Sequence, residues 1–257
     1  MSLYKKIRKK ILGGILNEFN RNGCNGLSSL DLIKPFPFQQ ELQHLYDSIE
    51  LILGQQNDCK TIVIASSTHG EGSSTIASYY ALFLATGIKL STNSGKASST
   101  DDSNILLVDG NFRHPSIHLL FNLENEQGFA ELLQEQAELN QVVNQLEELN
   151  LTIITAGSAI ENPVEIFRPE PLTRIIEQFK NNFSYIIIDA APILPYLDSL
   201  TVIKQCDGLV LNLRAESTRR EVVRKAKLKL MDSNVNILGV VLNGRGYHIP
   251  EVIYNHI

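Results

Sequence analysis

The sequence predicts a three-layer α/β domain with a doubly wound, mostly parallel sheet, and two observations carry that expectation. After Lys60, short apolar runs rich in β-branched residues alternate with longer amphipathic stretches, and the short runs show almost no polar alternation. A strand covered by helices on both faces has no solvated side, so it reads as a near-continuous hydrophobic run. Parallel strands need long crossovers, which are right-handed almost without exception, so this order closes into helices above and below one sheet. Ligands in such a sheet bind beyond the carboxyl ends of its strands.

Strands are expected over residues 61–66, 104–109, 151–155, 185–189, 208–213 and 237–243, each an Ile, Leu and Val run bounded by polar or turn-forming residues. Helices are expected over 38–53, 74–84, 128–134, 139–146, 171–179, 199–205 and 219–231, where apolar residues recur at helical spacing. The domain spans residues 37–245. Residues 91–103, rich in Ser, Thr, Asn and Asp, bury too little apolar surface to fold and are expected to form a flexible insertion. Residues 1–36 form a basic, then Gly-, Asn- and Ser-rich flexible leader ending in Pro35 and Pro37, and residues 246–257 a short tail.

A chain of 257 residues can bury one sizeable core, and 43% hydrophobic with 20% charged residues is ordinary for a globular protein. No apolar run approaches the roughly 18 residues of a membrane span. The apolar stretch near the start is short and broken by Gly13 and Gly14, which argues against a secretory signal. A formal net charge of -5 argues against broad nucleic-acid binding, which needs a basic surface. Cys24, Cys59 and Cys206 lack the spacing of a zinc or redox pair. Residues 1–16 carry Lys5, Lys6, Arg8, Lys9 and Lys10 beside Ile7, Ile11, Leu12 and Ile15. That pattern suits peripheral contact with an anionic membrane and suits a solvated arm equally well.

The sharpest chemical signal runs from Ser66 to Thr75, Ser-Ser-Thr-His-Gly-Glu-Gly-Ser-Ser-Thr, between an apolar strand and an amphipathic helix. Glycines let successive backbone N–H groups turn inward, and the helix adds the positive end of its dipole, so Gly70, Glu71, Gly72 and Ser73 would cradle phosphates. Ser74 would place a hydroxyl on Mg²⁺ and Thr75 would reach an inner phosphate. Alone, such a loop is as well explained by a turn and a helix cap. Two further strand ends argue otherwise. The runs ending at Asp109 and Asp189 each present a carboxylate at the carboxyl end of a buried strand, where a metal on the phosphates must be held. His69 is expected to be a surface turn residue, and His114 and His118 packing or capping residues.

With these motifs in place, the sequence resembles the bacterial tyrosine autokinases of capsule and exopolysaccharide synthesis, a branch of the P-loop fold that also contains the MinD and ParA ATPases. The resemblance spans residues 38–243. Gly70, Glu71, Gly72, Ser74 and Thr75 match the family's phosphate loop, Asp109, Arg113 and Pro115 its Asp-x-Asp-x-Arg-x-Pro motif, and Asp189 and Pro192 its Asp-x-Pro-Pro motif. Gly157 with Asn162, Pro163 and Glu165, then Asp198, Cys206-Asp207-Gly208, Arg214 with Thr218, and Gly239 to Asn243 match as well. The resemblance implies a Mg-ATP or Mg-ADP site in which Arg113 and Asn243 join the phosphate loop, with Asn243 near the base, Ser74, Asp109 and Asp189 as Mg²⁺ positions, and the two acids as catalytic groups if transfer occurs. It implies as partners a membrane polysaccharide co-polymerase, the chain-length regulator of the pathway, and further copies of the chain, at the cytoplasmic, inner face of the plasma membrane.

The departures bear on activity. Ser73 stands where the family has its phosphate-loop lysine, Asn111 replaces the second acid of the Asp-x-Asp pair, and Ala191 replaces a proline. Glu41 is followed by His44 and Asp47 where the family's ring-forming helix carries two arginines, and Tyr247 and Tyr254 stand in place of a tyrosine cluster. Loss of one preorganised transition-state donor costs roughly 3 to 4 kcal/mol. The leading expectation is a catalytically weakened regulator of a polysaccharide export complex, with an active tyrosine autokinase and a MinD/ParA-like positioning ATPase as alternatives.

Overall fold

A computed structural model describes residues 39–54, 59–85, 104–146, 149–160 and 162–244. The expected leader, the 91–103 insertion and the 246–257 tail lie outside the described residues. The elements run α1 (Gln39–Leu53), β1 (Lys60–Ser66), α2 (Ser73–Ala85), β2 (Ile105–Gly110), α3 (Ile117–Phe121), α4 (Phe129–Leu133), α5 (Leu139–Val142), β3 (Val143–Leu146), β4 (Leu151–Ile154), α6 (Pro163–Ile166), α7 (Pro169–Lys180), β5 (Tyr185–Ala190), α8 (Asp198–Ile203), β6 (Gly208–Arg214), α9 (Arg220–Asp232) and β7 (Ile237–Asn243).

These strands form one seven-stranded sheet in the order β3-β4-β2-β5-β1-β6-β7, parallel except for β3. The pleat sends alternate side chains to opposite faces, and β1 shows the consequence. Ile62 and Ile64 enter one buried cluster with α1 and α2, while Val63 and Ala65 enter a second with α4, α7 and α8. α1 reaches the first cluster through Leu42, Leu45, Tyr46 and Ile49, at the i, i+3, i+4, i+7 spacing of one helix face. Its opposite face leaves Glu41, His44 and Asp47 exposed.

One expected element is corrected. The helix expected over 139–146 ends at Val142, and Val143–Leu146 forms β3, paired antiparallel with β4 in the register Val143↔Ile154 to Leu146↔Leu151. A short apolar run fits either period, and Val142-Val143 adds two β-branched residues that favour extension. The open edge of β4 then decides, because its unpaired N–H and C=O groups accept a neighbouring strand. Asn150, at φ 51°, takes the left-handed conformation between the two strands. The short helices α3 and α6 were not marked by periodicity, since five and four residues are too few to show one.

Candidate nucleotide-binding site

β1, β2, β5 and β6 deliver their carboxyl ends to one side of the sheet, where a cavity of about 590 Å³ opens. Ser66, Gly70, Gly72, Ser73, Ser74 and Thr75 form one wall, and Asn243 and Arg214 another. The loop needs its glycines: Gly70 and Gly72 lie at φ 77° and 88°, a region L side chains rarely adopt. At Gly72 a Cβ would also fall 2.5 Å from Asn243 Nδ2.

Glu71 explains how the loop keeps its shape. Its buried carboxylate accepts hydrogen bonds from the Ser67 N–H at 2.8 Å, Ser67 Oγ at 2.7 Å, Thr68 Oγ1 at 2.9 Å and Thr218 Oγ1 at 2.7 Å. Its carbonyl accepts from Asn212 Nδ2 at 2.8 Å and Asn243 Nδ2 at 3.0 Å, and the Gly70 carbonyl accepts from Arg214 Nη1 at 3.1 Å. The Glu71 side chain thus sits behind the loop and holds it instead of lining the cavity.

α2 starts at Ser73 and runs 13 residues, so its dipole and free N–H groups face the cavity through Ser73, Ser74 and Thr75. Ser74 Oγ donates to Asp189 Oδ2 at 2.5 Å. Asp109 and Asp189 are register partners on adjacent strands, both without solvent exposure, yet their bonding differs. Asp109 accepts from the N–H groups of Asn111 at 3.1 Å, Ser116 at 3.0 Å and Ile117 at 3.0 Å. Asp189 Oδ1 has no hydrogen-bond partner among the described residues.

Burial pushes the Asp109 carboxyl up to about 6 against the pull of its three backbone donors. Burial, then the charge of Asp109, raises Asp189 well above the usual carboxylate range, and the hydroxyls of Ser74 and Ser73 only partly offset this. Two neighbouring buried carboxyls without a cation cannot both ionise cheaply. A divalent cation relieves this strain, and Mg²⁺ takes one or two carboxylates with phosphate and water oxygens, so the unpaired Asp189 Oδ1 beside the Ser74 hydroxyl fits it.

The remaining expected residues divide. Asn243 borders the cavity. Arg113 instead turns to the β5–α8 connection, its Nε 3.1 Å from Asp198 Oδ2 and its guanidinium carbon 3.9 Å from the Tyr196 ring centroid. Asn111 and Pro192, read at the site as motif positions, line it, and so do residues not expected there: His69, His114, Ser116 and Arg214. The signal that would have found Arg214 is its place as the last residue of β6, a strand end where ligands gather. A larger cavity of about 1070 Å³, bordered by Leu132, Gln145, Leu151 and Arg174, contains no residue of the Ser66–Thr75 loop.

No family model matches the chain. The chain is 30% identical over 192 residues to the tyrosine-protein kinase CpsD of Streptococcus agalactiae, covering 74% of this chain and 76% of that one. Among solved structures, the chimerical protein CapA2B2 superposes with a TM-score of 0.71 at 25% identity, over 84% of this chain and 90% of that one. The septum site-determining protein MinD of Pyrococcus horikoshii OT3, solved with Mg-ADP, superposes with a TM-score of 0.56 at 21% identity, over 77% of this chain and 76% of that one. The fold is therefore that of the P-loop nucleotide-binding proteins.

Proposed function

This chain belongs to the bacterial tyrosine-protein kinase family, and from that membership we propose that it binds a Mg-nucleotide weakly and acts as a regulator with little or no phosphoryl transfer. The observation that carries this reading is Ser73, which begins α2 in the lysine's position while the loop, the Ser74 hydroxyl and the strand-end acids are all in place. The glycine loop and the α2 amino terminus receive the phosphates, and Ser74 with Asp189 holds the cation. Asp109 orders the β2–α3 connection through its three backbone bonds. Mg²⁺ held by Ser74 and Asp189 would supply positive charge to the phosphates. Serine is too short and uncharged to supply the charge that lysine brings to the outer phosphates, so the transition state lacks a donor worth roughly 3 to 4 kcal/mol.

The pathway follows from the resemblance: capsule or exopolysaccharide synthesis, with a membrane chain-length co-polymerase as partner. No described helix is long and apolar enough to cross a membrane. Contact with the inner face of the plasma membrane would run through the partner and the basic residues 1–16. Assembly with further copies of the chain would have to manage without the two arginines that His44 and Asp47 replace.

Phosphopeptide mass spectrometry after incubation with Mg-ATP tests the reading. The expected result is unmodified Tyr247 and Tyr254. ATP-dependent phosphate on either tyrosine, lost in Asp189→Asn, would establish the active autokinase instead.

A further inference from the structure

We propose that His69 and His114 form a two-imidazole clamp at the mouth of the cavity and take the outer phosphate of a bound nucleotide, in the role left open by Ser73. The inference rests on the nucleotide-binding reading and adds two binding residues to it. Both histidines line the cavity alongside Gly70, Gly72, Ser73 and Ser74. Their rings meet edge to face, with centroids 4.9 Å apart and planes at 90°. His69 Nε2 lies 3.1 Å from Tyr196 Oη, and the Tyr196 ring in turn stacks against the Arg113 guanidinium, so the clamp is braced from the β5–α8 connection.

The charge of the rim selects for an anion. No carboxylate lines the cavity among the described residues, whereas Arg214 and both imidazoles do. The groups facing the pair are Arg113 on its own connection, neutralised by Asp198, then Tyr196, and Arg214, which is fixed to the Gly70 carbonyl. Lys229 donates to the Tyr196 carbonyl at 3.0 Å from below, and Asp109 and Asp189 are buried in the floor. Burial, followed by the charges of His114 and Arg113, lowers the His69 pKa, so the free protein holds this ring neutral near pH 7. A phosphate dianion reverses that balance, because an opposite charge at contact favours the protonated ring. Protonated, the His69 ring carries an N–H on both nitrogens and donates to a phosphate oxygen beside its contact with Tyr196, the His114 ring adds a further N–H, and binding draws a proton from solvent. Affinity therefore strengthens as pH falls and is lost as pH rises through the bound-state pKa.

The test is calorimetry of the full chain with Mg-ADP and with Mg-pyrophosphate, between pH 8 and pH 6, in buffers of contrasting ionisation enthalpy. His69→Gln, His114→Gln and the double substitution are compared with the native protein. The native chain is expected to take up protons on binding and to gain about tenfold in affinity relative to the double variant as pH falls across that window, one linked pKa unit being tenfold. Taking the difference removes the titration of Asp109, Asp189 and the ligand, which all proteins share. Both rings are exposed, so the variants should fold, and unchanged melting curves check this. A double variant with the native pH slope and proton uptake would overturn the clamp and leave the nucleotide site standing. Absence of binding by the native chain at every pH would overturn both.

Discussion

Two halves of the candidate phosphate site contrast: the hydrogen-bonded scaffold that shapes the loop is complete, while on the proposed reading the charges that would act on phosphate are depleted. On the scaffold side, Glu71 alone receives bonds from three hydroxyls and a backbone N–H, and Asn212 and Asn243 tie its carbonyl. On the charge side, Ser73 stands for a lysine, Asn111 for an acid, and Arg113 is committed to Asp198 and Tyr196. Shape and charge are thus separable properties of one loop. A site can keep the geometry of phosphate binding after losing the cation that accelerates transfer.

The largest expected effect breaks the scaffold. Glu71→Ala leaves Ser67 and Thr68 hydroxyls and a loop N–H without their acceptor, and loss of a buried, hydrogen-bonded charge network of this kind costs about 4 kcal/mol. Thermal denaturation should show a midpoint lowered by about 10 °C for a domain of this size. A change of only a degree or two would mean that the loop shape does not depend on Glu71.

The next effect sharpens the electrostatic half. Because the folded state raises the pKa of Asp109 and Asp189, it binds more protons than the unfolded chain. Stability must then fall as pH rises above the ordinary carboxylate range, through about 6 for Asp109, with Asp189 acting in the same direction. Asp189→Asn should flatten that decline, measured in urea without Mg²⁺, and should abolish any stabilisation by Mg-nucleotide. A variant less stable than the native chain at pH 7 would show that the carboxyl pair carries no electrostatic strain.

The smallest effect compares two glycines on the scaffold. Gly70→Ala meets open space and pays only for a positive φ, about 1 kcal/mol, whereas Gly72→Ala also drives a Cβ against Asn243 Nδ2 and should cost about 2 to 3 kcal/mol. Equal destabilisation of the two in parallel urea titrations would remove Asn243 from the account of the loop.

The sequence made the buried strands legible because a sheet covered on both faces leaves continuous Ile and Val runs, and the acids at their ends followed directly. The β3–β4 hairpin was hidden because Val143–Leu146 joins the sheet through an open neighbouring edge, which no local period reports. Arg113 matched a motif for cofactor binding, but its orientation is set by Asp198 and Tyr196, which approach it only once β5 lies beside β2. His69 read as a turn residue and His114 as a packing or capping residue for the same reason. Their contact exists only where two strand ends meet.

The separation of shape from charge is tested most directly by calorimetric titration of Mg-ADP into the native chain and into Ser73→Lys. If the loop retains its phosphate geometry, restoring the ammonium should tighten binding about a hundredfold, equivalent to roughly 3 kcal/mol of charge-assisted contact. Identical affinities, or loss of binding in Ser73→Lys, would show that the loop no longer has the shape of a phosphate site.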